Sequence, residues 1–351
     1  MSLSSILKDL LSLNKVARPW HLPLVTGFVI GLPAIFGALT NTFGEALLSS
    51  LGAMVFLYMS GDRTASRMLT MSLCAFGFMA CLTLATLSTV LPWLPPFALT
   101  AIAFLVILIT RYYRLPPPGS FFFILASCVA LAMPFDLGAV SNRVGLIALG
   151  GMWAVLAAFV YSVVTQAHKA EPQEITVDPQ VNALIIEAAL TSSVLGASYG
   201  FALWIGMNNP YWVPISCAAI MQGATFRMVW HRNVHRVVGT TLGMLLAALL
   251  FSFDPSPLVL ALCICAFQAI VDYLIVKNYG LAVIFITPLT VIMAEMTSLG
   301  MSASLLLEYR FIDIVLGSFF GFIGGALFHR TDVCRRIEAK MSPRSRLSDL
   351  L

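Results

Sequence analysis

Apolar runs about as long as a membrane-spanning helix follow one another along almost the whole 351-residue chain, and only short charged or proline-rich segments separate them. A helix needs about 20 mostly apolar residues to span a bilayer. Only 10% of the residues are charged, whereas a soluble domain carries roughly a quarter. The sequence therefore predicts an all-α, polytopic membrane protein without a sizeable soluble domain.

The breaks between apolar runs predict about twelve transmembrane helices, six in each half of the chain. The predicted spans lie near 22–40, 44–60, 68–91, 97–110, 119–135, 144–164, 184–206, 212–226, 237–253, 258–275, 280–297 and 310–328. Several are shorter than 20 residues, so either their ends extend into the flanks or some of the helices are broken.

Five regions follow from this pattern. They are an interfacial N-terminal helix at 1–20, a first six-span repeat at 21–165, a polar cytoplasmic linker at 166–183, a second six-span repeat at 184–329 and a basic cytoplasmic tail at 330–351. The N-terminal segment lacks the small-residue cleavage site of a signal peptide, so it is expected to stay attached.

The distribution of basic residues predicts the orientation. With a cytoplasmic N-terminus, all but two of the 20 lysines and arginines fall on the cytoplasmic side. The exceptions are Arg143 and Arg310. This bias follows the positive-inside rule and predicts a multi-pass membrane protein with both termini in the cytoplasm.

The two halves of the sequence align with a nearly constant offset. The alignment places Arg67 on Arg236, Gly119 on Gly280, Arg143 on Arg310 and Gly150 on Gly317. Because each half has an even number of predicted spans, both halves enter the membrane in the same direction. The sequence thus predicts two parallel repeats.

The two arginines outside the positive-inside pattern occupy equivalent positions, at the start of the sixth span of each half. A guanidinium group matches the forked geometry of a carboxylate, so Arg143 and Arg310 are predicted to bind an anionic substrate. The alternative is that each extends to the interface and pairs with a local acid. That acid would be Glu308 or Asp313 for Arg310, and Asp136 for Arg143.

Acidic residues within apolar spans are the candidates for proton coupling, because a charge is costly there. Asp272 and Asp313 are both flanked by apolar residues, and Glu187 opens the seventh span. Gln268 lies one turn from Asp272 on the same helix face and is predicted to contact substrate. The alternative for Asp313 is a structural ion pair with Arg310 at i, i+3 spacing.

The segment "WHRNVHR" at 230–236 concentrates basic residues between the eighth and ninth spans, and is predicted to be a cytoplasmic turn. His231 and His235 are four residues apart, but two imidazoles without a third ligand are weak support for a metal site. No metal and no cofactor are predicted. Glycine-rich nucleotide loops and nucleophile motifs are absent from the sequence, so neither an enzyme nor a nucleic-acid partner is expected.

The stretch "NNPYWVPISCAAIMQGATFRMVWHRNVHRVVGTTLGMLLAALL" resembles the signature region of the fusaric acid resistance (FUSC) family of inner-membrane exporters, which includes the aromatic carboxylic acid efflux proteins. The matching residues are Tyr211, Trp212 and Pro214 at its entry and Arg236, Gly239, Thr240 and Gly243 at its exit. The first half keeps Arg67 but lacks the Gly-Thr pair. The sharp part of the resemblance covers about 35 residues.

The resemblance implies energy-dependent export of aromatic or other organic acids, alongside a periplasmic adaptor protein of the membrane-fusion type. It also implies a packing role for Arg236 and the adjacent glycines, because glycine permits close helix contact. Longer relatives carry a soluble cytoplasmic domain after each membrane half. In this sequence those positions are occupied only by the linker and the tail, so functions that depend on such domains are not expected.

The favoured hypothesis is therefore an exporter of small organic anions that is driven by the proton motive force. Tyr211 and Trp212 join the arginines and Gln268 as predicted substrate contacts, and a homo-oligomer is possible. One alternative is a passive anion channel. The resemblance to plant malate channels favours it, and arginines along a pore would suit the passage of anions. The other is a membrane subunit without transport of its own.

Overall fold

The computed structural model describes residues 18–60, 63–167, 177–222, 226–294 and 303–328, and all regular structure in these ranges is helical. The helices are α1 (His21–Leu39), α2 (Phe43–Ala53), α3 (Thr64–Ser88), α4 (Pro95–Tyr112), α5 (Phe121–Ala132), α6 (Leu137–Val164), α7 (Val181–Trp204), α8 (Trp212–Met221), α9 (Phe226–Phe251), α10 (Pro257–Leu274), α11 (Tyr279–Ala294) and α12 (Ala303–Phe328). A 3-10 helix, Met54–Tyr58, continues α2. The predicted tail, most of the predicted interfacial helix and the middle of the linker lie outside the described residues.

Each predicted span coincides with one helix. Seven helices are long and apolar enough to cross a membrane, namely α1, α3, α4, α6, α7, α9 and α10. Shorter apolar helices, of 10 to 17 residues, are formed by α2 with its 3-10 extension, α5, α8 and α11. The all-helical, multi-pass class is confirmed, whereas the count of twelve crossings stays a prediction.

Four helices begin well before the start that the hydropathy pattern predicted, and an arginine lies at or near each predicted start. The predicted spans start at or just after Arg67, Arg143, Arg236 and Arg310, but α3, α6, α9 and α12 begin three to ten residues before these arginines. The prediction of a turn at 230–236 was wrong, because this segment lies within α9. Arginine is a good helix former, so a charge that interrupts a hydrophobic run does not interrupt the helix.

The short helices form much of the interior. Every residue from Tyr211 to Ile220 is buried, which includes almost all of α8, and most of α5 is buried as well. α5 packs against α8, while α2 packs against α6 and α8 against α12. A helix that is apolar on all sides is stable when other helices surround it. The long helices therefore enclose the short ones.

Two long contacts join the first six helices to the last six. α1 packs along α10, and α4 packs along α7. Small residues permit both contacts, since a side chain at Gly31 would collide with Cys265 and one at Gly196 with Thr100. Close backbone approach through small residues is the usual way for helices to associate in a membrane.

Candidate functional site

Arg310 of α12 is a buried cation at the centre of the candidate site, with only 4% of its surface exposed. Its guanidinium carbon lies 3.5 Å from the centroid of the Trp212 ring, at the first position of α8. Nη2 donates a hydrogen bond of 3.4 Å to Oγ1 of Thr290 on α11. Three helices thus place one guanidinium over an aromatic face, which is a favourable cation–π arrangement.

The start of α8 positions the aromatic residues. Pro214 lies in the first turn of α8, where a backbone N–H would have no acceptor within the helix. A proline, which lacks this N–H, therefore costs no hydrogen bond there. The rings of Tyr211 and Trp212 are 5.0 Å apart, and both side chains are buried. The entry motif read from the sequence therefore forms one wall of the site.

Asp313 lies less than one turn after Arg310 on α12, and its surface is 1% exposed. Within the described part of the chain, neither carboxylate oxygen accepts a hydrogen bond, and Nε and Nη1 of Arg310 donate none. Among the described residues, the two side chains form no ion pair within 4.0 Å, unlike the three pairs found elsewhere. The alternative of a structural ion pair between Arg310 and Asp313 is not observed. The side chain of Glu308, the other proposed acid, lies outside the described part.

Arg236 approaches the same region from α9. It is 4% exposed, and its Nη2 donates a hydrogen bond of 3.3 Å to Oγ of Ser216, one turn after Trp212 on α8. The rest of the exit motif faces α11. A side chain at Gly239 would lie 2.8 Å from the Gly280 carbonyl oxygen, and one at Gly243 would lie 2.6 Å from that of Ile284. Thr240 between them is buried.

The arginines of the first half have different surroundings. Arg143 is partly exposed, and its Nη1 donates a hydrogen bond of 3.0 Å to the Pro134 carbonyl oxygen. Asp136, proposed as its partner, instead accepts a hydrogen bond from the backbone N–H of Gly138 and caps α6. Arg67 is partly exposed and donates to Oγ of Ser162 at 3.2 Å. The structure places Arg143 and Arg310 on different helices with different partners.

Asp272 and Gln268 lie on α10, where it packs against α1. Both are buried. Asp272 pairs with Arg18, with 3.1 Å between Nη2 and Oδ2, and accepts a hydrogen bond of the same length from Thr26. Arg18 also donates to the Asp272 carbonyl oxygen at 2.8 Å. Asp272 therefore belongs to a contact between the halves, whereas Gln268 is buried one turn earlier on the same helix.

Glu187 belongs to the other contact between the halves. Its carboxylate lies 2.7 Å from Nη2 of Arg111, which joins α7 to α4. From the sequence, Arg18 and Arg111 were predicted only to lie on the cytoplasmic side, and their roles as ion-pair partners were missed. Two signals were available. A carboxylate within an apolar span needs a cation nearby, and the offsets that align Arg67 with Arg236 and Gly119 with Gly280 also align Arg18 with Glu187 and Arg111 with Asp272.

Comparisons with known proteins agree with this description. The profile of the family described as "Fusaric acid resistance protein-like" matches residues 197–324, from α7 to α12. The uncharacterized membrane protein YvaC of Bacillus subtilis (strain 168) is 23% identical over 480 aligned residues, which cover 95% of this chain and 76% of YvaC. That alignment is longer than the chain, so YvaC has residues within it that lack a counterpart here. No solved structure matches.

The predicted resemblance is confirmed where its motif was strongest, because the matched region contains both the aromatic entry and the arginine and glycine exit. The long apolar helices and the membrane-protein relative agree on the class. Residues 197–324 thus form a fusaric acid resistance protein-like region within a multi-pass membrane protein.

Proposed function

We propose that this protein exports small organic anions, in particular aromatic carboxylates, across the bacterial inner membrane, and that Arg310 binds the carboxylate. One observation carries the proposal: a buried guanidinium rests on an aromatic ring and has N–H groups that find no acceptor among the described residues. A cation inside a membrane bundle is costly and marks a functional site by default. A ligand carboxylate would supply the missing acceptors.

The chemistry of the surrounding residues favours an aromatic substrate. Guanidinium and carboxylate groups form paired, charge-assisted hydrogen bonds, which are stronger than neutral ones. Trp212 and Tyr211 offer large apolar surfaces beside the guanidinium, and aromatic rings pack favourably edge to face or offset. A benzoate-like anion satisfies both features.

Asp313 is the best proton carrier of the three predicted carboxylates. Asp272 and Glu187 each form an ion pair with an arginine at a contact between the halves, which favours a structural role for both carboxylates. Asp313 is buried beside Arg310 and has no hydrogen-bond partner within the described ranges. Gain and loss of a proton at this position would change the charge next to the bound anion. We therefore assign proton coupling to Asp313.

The proposal includes twelve crossings in two parallel repeats with both termini in the cytoplasm. The recurrence of contacts supports it. α1 with α10 corresponds to α7 with α4, α2 with α6 corresponds to α8 with α12, and α3 with α5 corresponds to α9 with α11. Export through a periplasmic membrane-fusion adaptor is also proposed and rests on the family resemblance alone.

Flux measurements in proteoliposomes test the function. An imposed pH gradient is expected to drive benzoate uphill, Arg310→Gln to abolish this movement, and Arg143→Gln, the matched control, to preserve it. Asp313→Asn is expected to remove the dependence on the pH gradient. A current that follows the voltage and is insensitive to Asp313→Asn would instead establish a passive channel. Unchanged flux in Arg310→Gln would refute the proposed site.

Tag accessibility tests the orientation. Tags at position 175 and at the C-terminus are expected to react only after the inner membrane is permeabilised. Reaction from the periplasmic side at either position would contradict the parallel arrangement.

A further inference from the structure

Arg236 is a second buried cation beside the proposed anion site, and the packing of its helix does not use its charge. Its Nη2 donates to Ser216, while its Nε is buried and donates to no acceptor. Within the part of the chain that the structure describes, no carboxylate lies within 4.0 Å of either Arg236 or Arg310. Its charge acts electrostatically on Arg310. The glycines of the motif are sufficient to explain how α9 approaches α11.

The two arginines contact one face of the same short helix. Arg310 covers Trp212, and Arg236 is bonded to Ser216, four positions later on α8. Residues four apart lie on the same side of a helix, separated by a rise of about 6 Å. The two guanidinium groups are therefore held at two successive levels along α8.

The charges of this region are unequal. Arg236 and Arg310 bring two positive charges into the interior, and both are unbalanced when Asp313, three residues after Arg310, carries the proton of its proposed role. A ligand with one carboxylate would satisfy the free donors of one arginine and leave those of the other unpaired. Buried charges are normally paired and hydrogen-bonded.

We propose that Arg236 is a second anion-binding residue and that the site takes organic anions with two acidic groups, one on each guanidinium. The inference rests on the proposed function, because it uses the same site, and it adds the substrate class. Arg310 binds one carboxylate next to Trp212, and Arg236 binds the other next to Ser216. The separation of the two levels along α8 favours acidic groups at opposite ends of an aromatic ring.

Binding of three probes to the purified full chain in nanodiscs tests the inference. The probes are benzoate, with one carboxylate, phthalate, with two adjacent carboxylates, and terephthalate, with two at opposite ends of the ring. Calorimetry is expected to show that terephthalate binds roughly tenfold more tightly than benzoate, because it makes one more set of charge-assisted hydrogen bonds. Phthalate is expected to bind no better than benzoate.

Two variants separate the roles of the arginines. Arg236→Gln is expected to lower the terephthalate affinity by roughly ten- to a hundredfold and to change the benzoate affinity much less. Arg236→Lys keeps the charge but loses the forked guanidinium group. Its terephthalate affinity should lie between those of the wild type and Arg236→Gln. Arg67→Gln, at the aligned position of the first half, is the matched control and should leave both affinities unchanged.

The outcomes distinguish this inference from the proposed function. Equal affinity of wild-type protein for terephthalate and benzoate, or an unchanged preference in Arg236→Gln, overturns the second anion-binding residue alone. The wild-type comparison needs no variant, so it decides even if Arg236→Gln does not fold. Absence of binding by all three probes, or unchanged benzoate binding in Arg310→Gln, overturns both.

Discussion

In both the first six and the last six helices, the second helix packs closely against the sixth. The side chains around this contact differ between the two halves. A side chain at Gly150 of α6 would collide with the carbonyl oxygen of Ser49 on α2, and one at Gly317 of α12 would meet Ser216 on α8. The offset that aligns Arg143 with Arg310 also aligns these serines and glycines. Small residues thus fix both helix pairs in a similar contact.

The residues around this shared contact differ. In the first half, a cavity of about 400 Å³ lies between α1, α2 and α6, lined mainly by apolar side chains and by Glu45. In the last half, the positions aligned with Glu45 and Leu146 hold Trp212 and Asp313. The two halves thus share a close helix contact, whereas the buried guanidinium of Arg310 and the ring of Trp212 lie at the contact in the last half.

The contacts between the halves show a second difference. Arg18 pairs with Asp272 between α1 and α10, whereas Glu187 pairs with Arg111 between α7 and α4. The aligned positions carry opposite charges. The first pair contains a buried carboxylate, while Arg111 is exposed over 55% of its side chain. The contact between α1 and α10 therefore contains an ion pair with a buried carboxylate, whereas the ion pair between α7 and α4 has a largely exposed arginine.

The largest effect on stability is expected at the ion pairs between the halves. Arg18→Gln leaves the Asp272 carboxylate buried without its cation, so the free energy of unfolding should fall by about 3 kcal/mol. Arg111→Gln at the exposed pair should change it by less than about 1 kcal/mol. Unfolding in mixed detergent micelles measures both values.

The double variant Arg18→Gln with Asp272→Asn is the control for that experiment. It removes both charges and should recover most of the lost stability. Equal losses in Arg18→Gln and Arg111→Gln would show that burial does not distinguish the two pairs.

The next effect concerns the arginines at aligned positions in α6 and α12. Arg310→Lys keeps the charge but loses the planar group that rests on Trp212, so benzoate affinity should fall roughly tenfold. Arg143→Lys, whose partner is a backbone carbonyl oxygen, should leave the affinity within about twofold. Calorimetric titration of the two variants checks this, and equal affinities would place carboxylate binding elsewhere.

The shared glycine contact should respond equally in both halves. Gly150→Ala and Gly317→Ala each force a methyl group against a neighbouring helix, which should lower the free energy of unfolding by about 1 to 2 kcal/mol after the gain in helix propensity. Unfolding in mixed micelles measures both. A loss confined to Gly317→Ala would show that only the last half depends on close packing.

The smallest effects concern the aligned serines. Oγ of Ser49 donates to the Leu146 carbonyl oxygen at 2.9 Å, so Ser49→Ala should cost about 0.5 kcal/mol of stability and leave binding unchanged. Ser216→Ala removes the partner that orients Arg236 and should weaken terephthalate binding by roughly threefold. Stability and binding are measured for both variants. Weaker terephthalate binding in Ser49→Ala with unchanged binding in Ser216→Ala would show that Ser216 is not part of the site.

Much of the fold was predictable because a membrane imposes a simple requirement on sequence. All twelve predicted spans coincide with helices, since long apolar runs leave a backbone in lipid no other way to satisfy its hydrogen bonds. The errors occur at Arg67, Arg143, Arg236 and Arg310. Hydropathy treats an arginine as the end of a span, but the helix continues through it.

The site was predictable only as a set of residue types. Arg310, Asp313, Tyr211 and Trp212 were singled out by charge, burial and motif, and the structure brings them together. The same reasoning also selected Asp272 and Glu187, which lie at the contacts between the halves, and Gln268, which is buried on α10. Sequence spacing cannot separate these groups, because the distance between helices that are far apart in the chain depends on how they pack.

The sequence by itself determined that the chain is a multi-pass helical membrane protein with a fusaric acid resistance protein-like region, because composition and local motif suffice for both. Only the tertiary structure decided which ionisable groups are paired. Arg18 and Asp272 are separated by most of the chain yet touch, whereas Arg310 and Asp313 are three residues apart and do not pair. The physical reason is that burial and charge pairing depend on positions in space, and these arise only when the helices pack.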